Sequence, residues 1–372
     1  MFTDKRLLIS FAMKIKANFK CANNVNVFDM DTLVDDIGSF PLPSQISRKV
    51  FDRAYVLARK ALTDGKDLKT DDFLVKNFYH VILDSFRKKI EAGLDVVNYP
   101  QHYDIHKQFT EAIHEAMNKG TYVVEEKNAI IPEVHVINEK AKQLSEIYGQ
   151  KISLRVCITG PIELYLKEIG TTPYKDILFM FAETVRRFAK NSILNTKYIK
   201  TEVVSLDEPS FGFQDVQADM DTIFDVMEKA FSFNGVVKQV HLHSASRIRE
   251  VLEIENLDVV SLEYAASPKN IETVSKKLLE KSDKSIRVGI ARTDIDAIFA
   301  ELYEKGISKP SLEQIVENEE TIKRRFLTAK TKYGERLTFT GPDCGLGGWP
   351  SQEAAQLLLK RTINAVKFAK TS

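Results

Sequence analysis

Cysteine is scarce in this chain: Cys21, Cys157 and Cys344 are the only three in 372 residues. So odd and widely spaced a set excludes a disulfide framework. It points to a reducing compartment, and a cytoplasmic protein is expected. Neither sign of charge dominates. The 53 Lys and Arg against 52 Asp and Glu give a formal net charge of +1. That leaves no electrostatic footprint for nucleic acid or for an anionic membrane surface. Long apolar runs are also missing, since none reaches the roughly 20 residues of a membrane span. Leu7 to Met13 follows Lys5 and Arg6, as a secretion signal would. Lys14 and Lys16 interrupt it at once, and no small-residue cleavage pattern follows. Low-complexity segments, short-period repeats and flexible linkers are absent as well.

What is present is a regular alternation. Eight runs rich in Val, Ile and Leu read as strands: Leu33–Phe40, Leu94–Tyr99, Leu154–Thr159, Val203–Asp207, Val236–His243, Leu257–Glu263, Ile286–Ile290 and Leu337–Thr340. Apolar residues on both faces suit parallel strands covered by helices. Between them lie stretches of helical periodicity at Ser44–Thr63, Asp71–Ala92, Tyr174–Lys200, Ala218–Phe233, Asn270–Glu280, Ser311–Lys330 and Ser351–Lys370. Eight such repeats predict a closed (β/α)8 barrel of the TIM type, an α/β fold. No glycine-rich dinucleotide fingerprint follows the first run, which weakens an open doubly wound sheet. The longest connection, 99 to 154, is an insertion after the second strand. It reads as a helix near Ile105–Asn118, a hairpin within Tyr122–Val134 and a helix near Asn138–Tyr148. Residues 1–30 read as an N-terminal extension, in which Leu7–Phe19 and Val25–Phe28 pair as strands on the barrel floor. Residues 31–372 are then a single catalytic barrel.

Active sites of such barrels lie at the C-terminal ends of the strands. Polar residues collect there: Gly38-Ser39-Phe40-Pro41, Asp207-Glu208-Pro209, His241-Leu242-His243, Glu263, Arg292-Thr293-Asp294 and Asp343-Cys344-Gly345. His241 and His243 are two apart on a strand, so their side chains leave on one face. An isolated His-x-His is more often a solvated or hydrogen-bonded pair. Glu263 alone would more often cap a helix, and Cys344 alone would more often be a small buried hydrophobe. Together the four make a zinc-type N, O and S donor set. Cys157 lies mid-strand and reads as core. Asp207 is either a turn cap or a receptor for a substrate ammonium group. The Ser39 segment offers N–H groups and a hydroxyl suited to a carboxylate.

These motifs resemble the catalytic barrel of the cobalamin-independent methionine synthase family, over about Val34 to Lys370. The carriers are Ile37-Gly38-Ser39-Phe40-Pro41, Ile158-Thr159-Gly160-Pro161, Asp207-Glu208-Pro209, the His241 strand, Glu263, and Pro342-Asp343-Cys344-Gly345-Leu346 with Trp349-Pro350. The resemblance implies a zinc ion that holds the thiol of homocysteine for methyl transfer to give methionine. His241, His243, Glu263 and Cys344 would be its ligands, with Ser39, Asp207 and Gln101 binding the amino acid. Departures are specific. The family has His-x-Cys where this chain has His241-x-His243. Either His243 takes the cysteine's place, or it takes the histidine's place and Ala245 the cysteine's, leaving three protein ligands. The first alternative gives a neutral site, a stronger Lewis acid that holds a thiolate more firmly and leaves it a weaker nucleophile. Tyr99-Pro100-Gln101 replaces the family's Gly-Glu. Arg292-Thr293-Asp294 stands where the family has a proton-transfer histidine, with Asp294 the substitute. The family's additional N-terminal folate-binding barrel is missing, so the short form is implied, with a methyl-corrinoid protein or methylcobalamin as donor. Three other functions compete. One is the same chemistry on a different thiol. Another is a uroporphyrinogen-decarboxylase-like reaction, which calls for a more basic pocket than the strand ends show. The third is a non-catalytic partner of a corrinoid protein.

Overall fold

The computed structural model describes residues 32–371. The strand pair expected at Leu7–Phe19 and Val25–Phe28, and Cys21, lie outside them. Eight parallel strands follow one another round a sheet: β1 Leu33–Val34, β2 Val97–Asn98, β3 Ile152–Thr159, β4 Ile199–Asp207, β5 Val237–Leu242, β6 Val259–Leu262, β7 Ser285–Ala291 and β8 Leu337–Pro342. β1 pairs with β8, and a parallel bridge from Asp35 to Val96 joins β1 to β2. The result is the (β/α)8 barrel that the alternation predicts.

Residues i and i+2 of a strand share a face, so the inward set can be read off in layers. Val96, Val203, Val259 and Phe339 form an apolar layer from the even strands. Asp35, Arg155, Gln239 and Arg287, from the odd strands, are fully buried against one another. Above them lie the small residues Ser205, Ser261 and Gly341. Cys157, His241 and Gly289 follow, then Asp207, Glu263 and Asp343 at the mouth. Outward residues such as Val204, Leu206, Val240, Leu242, Val260 and Leu262 join the larger core beneath the helices.

Ten principal helices surround the sheet: α1 Arg48–Thr63, α2 His80–Ala92, α3 Lys107–Met117, α4 Pro132–Tyr148, α5 Pro161–Glu168, α6 Lys175–Asn191, α7 Met220–Ala230, α8 Ile295–Glu304, α9 Glu319–Tyr333 and α10 Gln352–Thr371. Their starts follow local chemistry. Ser47, Asp219 and Asn318 accept N–H groups of the first turn, and Pro132 and Pro161 sit where a missing N–H costs nothing. No helix among the described residues is long and apolar enough to cross a membrane.

The helices expected at Asn270–Glu280 and Ser311–Lys330 are each broken in two, the strand expected at Leu94–Tyr99 is only Val97–Asn98, and three further expectations change. The hairpin within 122–134 does not form; a 3-10 turn at Glu126–Asn128 and the start of α4 take its place. Its apolar residues are there to pack. Val124 is buried, donating its N–H to Thr184 Oγ1 and its carbonyl accepting from Arg187 Nη1. The helix expected to run to Lys200 stops at Asn191, where Ser192 turns its hydroxyl back to the Phe188 carbonyl. β1 is shorter than Leu33–Phe40, because Gly38 turns the chain at φ +62° and Asp36 leaves the ladder to pair with Lys89.

Candidate metal centre

His241 points inward near the end of β5, beside Ser261 of β6, whose Oγ lies 3.1 Å from its Nδ1. The other ring nitrogen, Nε2, is buried without a partner. Burial, helped by the charges of His243, Arg287 and Arg155, holds the ring well below the usual histidine range. It is therefore a neutral imidazole, and in the tautomer that donates Nδ1–H to Ser261 its Nε2 presents a lone pair. His243 stands beside it, with ring centroids 5.4 Å apart. Its Nε2 lies 3.5 Å from Glu263 Oε1 and 3.5 Å from Cys344 Sγ. One ligand atom from each of His241, His243, Glu263 and Cys344 lies within 4.8 Å of the others.

These residues fit a zinc ion. Ligands on a shared tetrahedral zinc stand about 3.5 Å apart, the separation of two of the pairs here. The donor chemistry is N, N, O and S, and the buried Nε2 of His241 has no partner in the protein. Ala245, the rival candidate, offers no donor atom in its side chain and gives its N–H to Asn270 Oδ1. Burial, with the negative fields of Asp343 and Asp294, pushes Glu263 up to about 8. Burial and Glu263 push the Cys344 thiol up as well. Both shifts come first from burial, with neighbouring acids adding to them, and a divalent cation held between these donors would reverse them.

Backbone ties set the register of these four side chains. Asn270 Nδ2 donates to the carbonyls of His243, at 2.8 Å, and Glu263, at 3.0 Å. Asp343, adjacent to Cys344, accepts the N–H groups of Tyr264, Ala265 and Ala266. Thr293 Oγ1 accepts the Cys344 N–H, and Trp349 Nε1 donates to the Thr293 carbonyl. Of these residues the sequence singled out Asp343 only as a flank of the cysteine. Asn270 lies in a helical segment and gives no signal of its own.

The other predicted residues fall as follows. Ser39 is half-buried against the glycine-rich turn, its Oγ accepting the Gly347 N–H. A Cβ at Gly345 or Gly347 would stand 2.8 or 2.5 Å from that oxygen, so only glycine permits the approach. Gln101 is buried in the left-handed region at φ +46°, and its Oε1 has no partner. Asp207 ends β4 with Oδ1 accepting from Ser205 Oγ at 2.7 Å, and burial pushes it up to about 6. Asp294 is paired with Arg292, which donates to both of its carboxylate oxygens, at 3.0 and 2.7 Å. Cys157 is core, fully buried.

No protein-family model matches the chain, and no curated protein matches it. Among solved structures it is similar to a B12-independent methionine synthase from Shewanella sp. W3-18-1 in complex with selenomethionine. The identity is 15%, the TM-score 0.58, and the match covers 91% of this chain and 97% of that one. Others are an endo-beta-1,4-mannanase from Thermotoga petrophila (12%, TM-score 0.40, 78% and 73% covered) and a family 51 alpha-L-arabinofuranosidase from Bifidobacterium longum (13%, 0.38, 88% and 70%). The first of these shows the shared fold. The class so defined is a (β/α)8-barrel protein with a cluster of metal-type donors at its mouth.

Proposed function

We propose that this chain is a zinc-dependent thiol methyltransferase that converts homocysteine to methionine. The methyl donor in this reading is a corrinoid, either a methyl-corrinoid protein or methylcobalamin. One observation carries it: four side chains of zinc-type chemistry converge at the barrel mouth, one of them with a buried nitrogen that has no partner. Zinc held by His241, His243, Glu263 and Cys344 would supply a Lewis acid that keeps a substrate thiol ionised near neutral pH, where a free thiol of pKa about 8.5 is mostly protonated. The chain's own residues orient the rest of the amino acid. Asp207 receives the ammonium group, and Gln101 Oε1, buried without a donor, is a second acceptor for it. The Ser39 hydroxyl donates to the carboxylate. Asp294, held by Arg292 on both oxygens, takes the proton-transfer part in this reading.

The test is metal analysis of the purified chain, followed by methyl transfer from methylcobalamin to homocysteine. One zinc per chain, lost together with activity in Cys344→Ala, is the expected result. Full zinc retention and unchanged transfer in that variant would refute the assignment. A stable corrinoid-protein complex without turnover would replace it with a binding role.

A further inference from the structure

Ser39 and Gln101 stand at the ends of different strands, yet one buried imidazole joins their segments. His102, next to Gln101, is buried, with its ring edge-on to Phe51 at a centroid distance of 5.4 Å. Its Nδ1 lies 2.9 Å from the Phe40 carbonyl, and its Nε2 lies 2.8 Å from Ser85 Oγ. A carbonyl only accepts, so Nδ1 carries the hydrogen and Nε2 the lone pair. Ser85 agrees with that assignment. Its Oγ accepts from Gln352 Nε2 at 2.8 Å, which leaves its own hydrogen for the His102 ring. Burial pushes the imidazole down to about 3, so it stays neutral.

Phe40, the neighbour of Ser39, is held from both sides. Its N–H donates to the Pro100 carbonyl at 2.8 Å, and its carbonyl takes the His102 Nδ1–H. Both backbone polar groups of Phe40 are therefore held by the residues that flank Gln101. Gln101 itself lies in the left-handed region, at φ +46°. That conformation is costly for a residue with a Cβ and persists where the neighbours over-determine it, as at ligand clamps. Here they do so: the His102 N–H donates to Glu133 Oε1 at 2.9 Å, and the His102 carbonyl accepts from Arg48 Nη1. The side chain held in this way faces the glycine turn. A Cβ at Gly38 would stand 3.5 Å from the unpartnered Gln101 Oε1 and 3.4 Å from the Cα of Gly345, the residue after Cys344.

We infer that His102 is a positioning residue: its Nδ1–H clasps the Ser39 and Gln101 segments into one surface that receives the amino-acid end of the substrate, without touching the substrate itself. The inference rests on the homocysteine reading above and adds to it the residue that sets the spacing of the two receptor segments. A histidine that only filled the core would affect every thiol alike.

Asparagine places an amide nitrogen where Nδ1 stands, and glutamine places one where Nε2 stands. The chain loaded with Co(II) is titrated with homocysteine and with propane-1-thiol, which is homocysteine without its ammonium and carboxylate. Binding is followed by the sulfur-to-cobalt charge-transfer band. His102→Gln is expected to weaken homocysteine at least about tenfold and to leave propane-1-thiol unchanged. His102→Asn is expected to stay close to wild type for both. If His102→Gln weakens both thiols alike, or leaves homocysteine unchanged, the inference is overturned and the zinc–thiol reading stands. A wild type that binds the two thiols equally removes the receptor segments, and the clasp with them. No band with either thiol overturns the zinc–thiol reading as well. Where the glutamine variant fails to fold, nitrogen-15 shifts of the wild-type ring decide. The Nδ1–H tautomer is expected at neutral pH, free and with homocysteine bound, and an Nε2–H or charged ring overturns the clasp.

Discussion

Asp343 accepts the backbone N–H of Ala266 at 2.7 Å, joining the strand end that carries Cys344 to the one that carries Glu263. The same carboxylate takes the N–H groups of Tyr264 and Ala265, each at 3.0 Å. Gly289 makes the contact possible, since a Cβ there would lie 2.2 Å from Asp343 Oδ1. Two candidate ligands from different strands are therefore held in one register by an acid outside that set.

Asp343→Asn replaces one acceptor with an N–H that faces other N–H groups. The expected cost is about 1–3 kcal/mol of stability, with zinc affinity lowered roughly tenfold or more. Chelator competition and urea unfolding measure the two separately. Undiminished zinc affinity would remove Asp343 from the support of the site.

Asn270→Ala removes the amide that bridges the carbonyls of His243 and Glu263 and also accepts the Ala245 N–H. Zinc affinity is expected to fall about 10- to 100-fold, as for other groups that orient ligands. Asn270→Asp, which keeps the acceptor and loses the donor, should behave like the alanine variant. If it binds zinc like wild type, the bridge has no role in metal binding.

Zinc added to metal-free protein is expected to raise the melting temperature, with about 2.7 kcal/mol of stabilisation at a free concentration of 100 times Kd. Chelation should leave the barrel folded, because its core is built without the metal. His241→Ala should abolish the shift, and scanning calorimetry with and without chelator reads it. A zinc-induced shift of wild-type size in His241→Ala would place the metal elsewhere.

Glu133 is fully buried and accepts the His102 N–H through Oε1, while Oε2 has no partner. Burial pushes its carboxyl up to about 8 from 4.5. Between those values the unfolded chain gives up a proton that the folded chain keeps, so this group's contribution to stability falls as pH rises through the window. Glu133→Gln removes the titration. Relative to wild type, the variant should gain stability from pH 5 to pH 8, on the order of 1–3 kcal/mol. Urea midpoints at the two pH values decide it, and a constant difference between the proteins would show that Glu133 is ionised when folded.

Much of the barrel was legible because strand and helix leave different periods in a sequence. The runs at Val203–Asp207 and Leu257–Glu263 have only helices between them and their neighbours, so their order in the sheet follows. The hairpin expected near Val124 failed for the converse reason. Its apolar residues are explained by contact with α6, a relation that alternation cannot distinguish from strand pairing. Arg155 and Arg287 each interrupt an apolar run once, and their face was not evident until closure turned both inward.

The sequence by itself determined the chemistry available, since residue types and the two-residue pleat put His241 and His243 on one face and a thiol in a glycine turn. Tertiary structure decided what that chemistry adds up to. Cys344 and His243, 101 residues apart, come within 3.5 Å. They do so because a parallel sheet closed on itself, bringing the ends of strands that are remote along the chain to one rim. The same closure put two guanidinium groups beneath them. Local propensity carries no information about a distance across a barrel, because that distance is set by how the strands close.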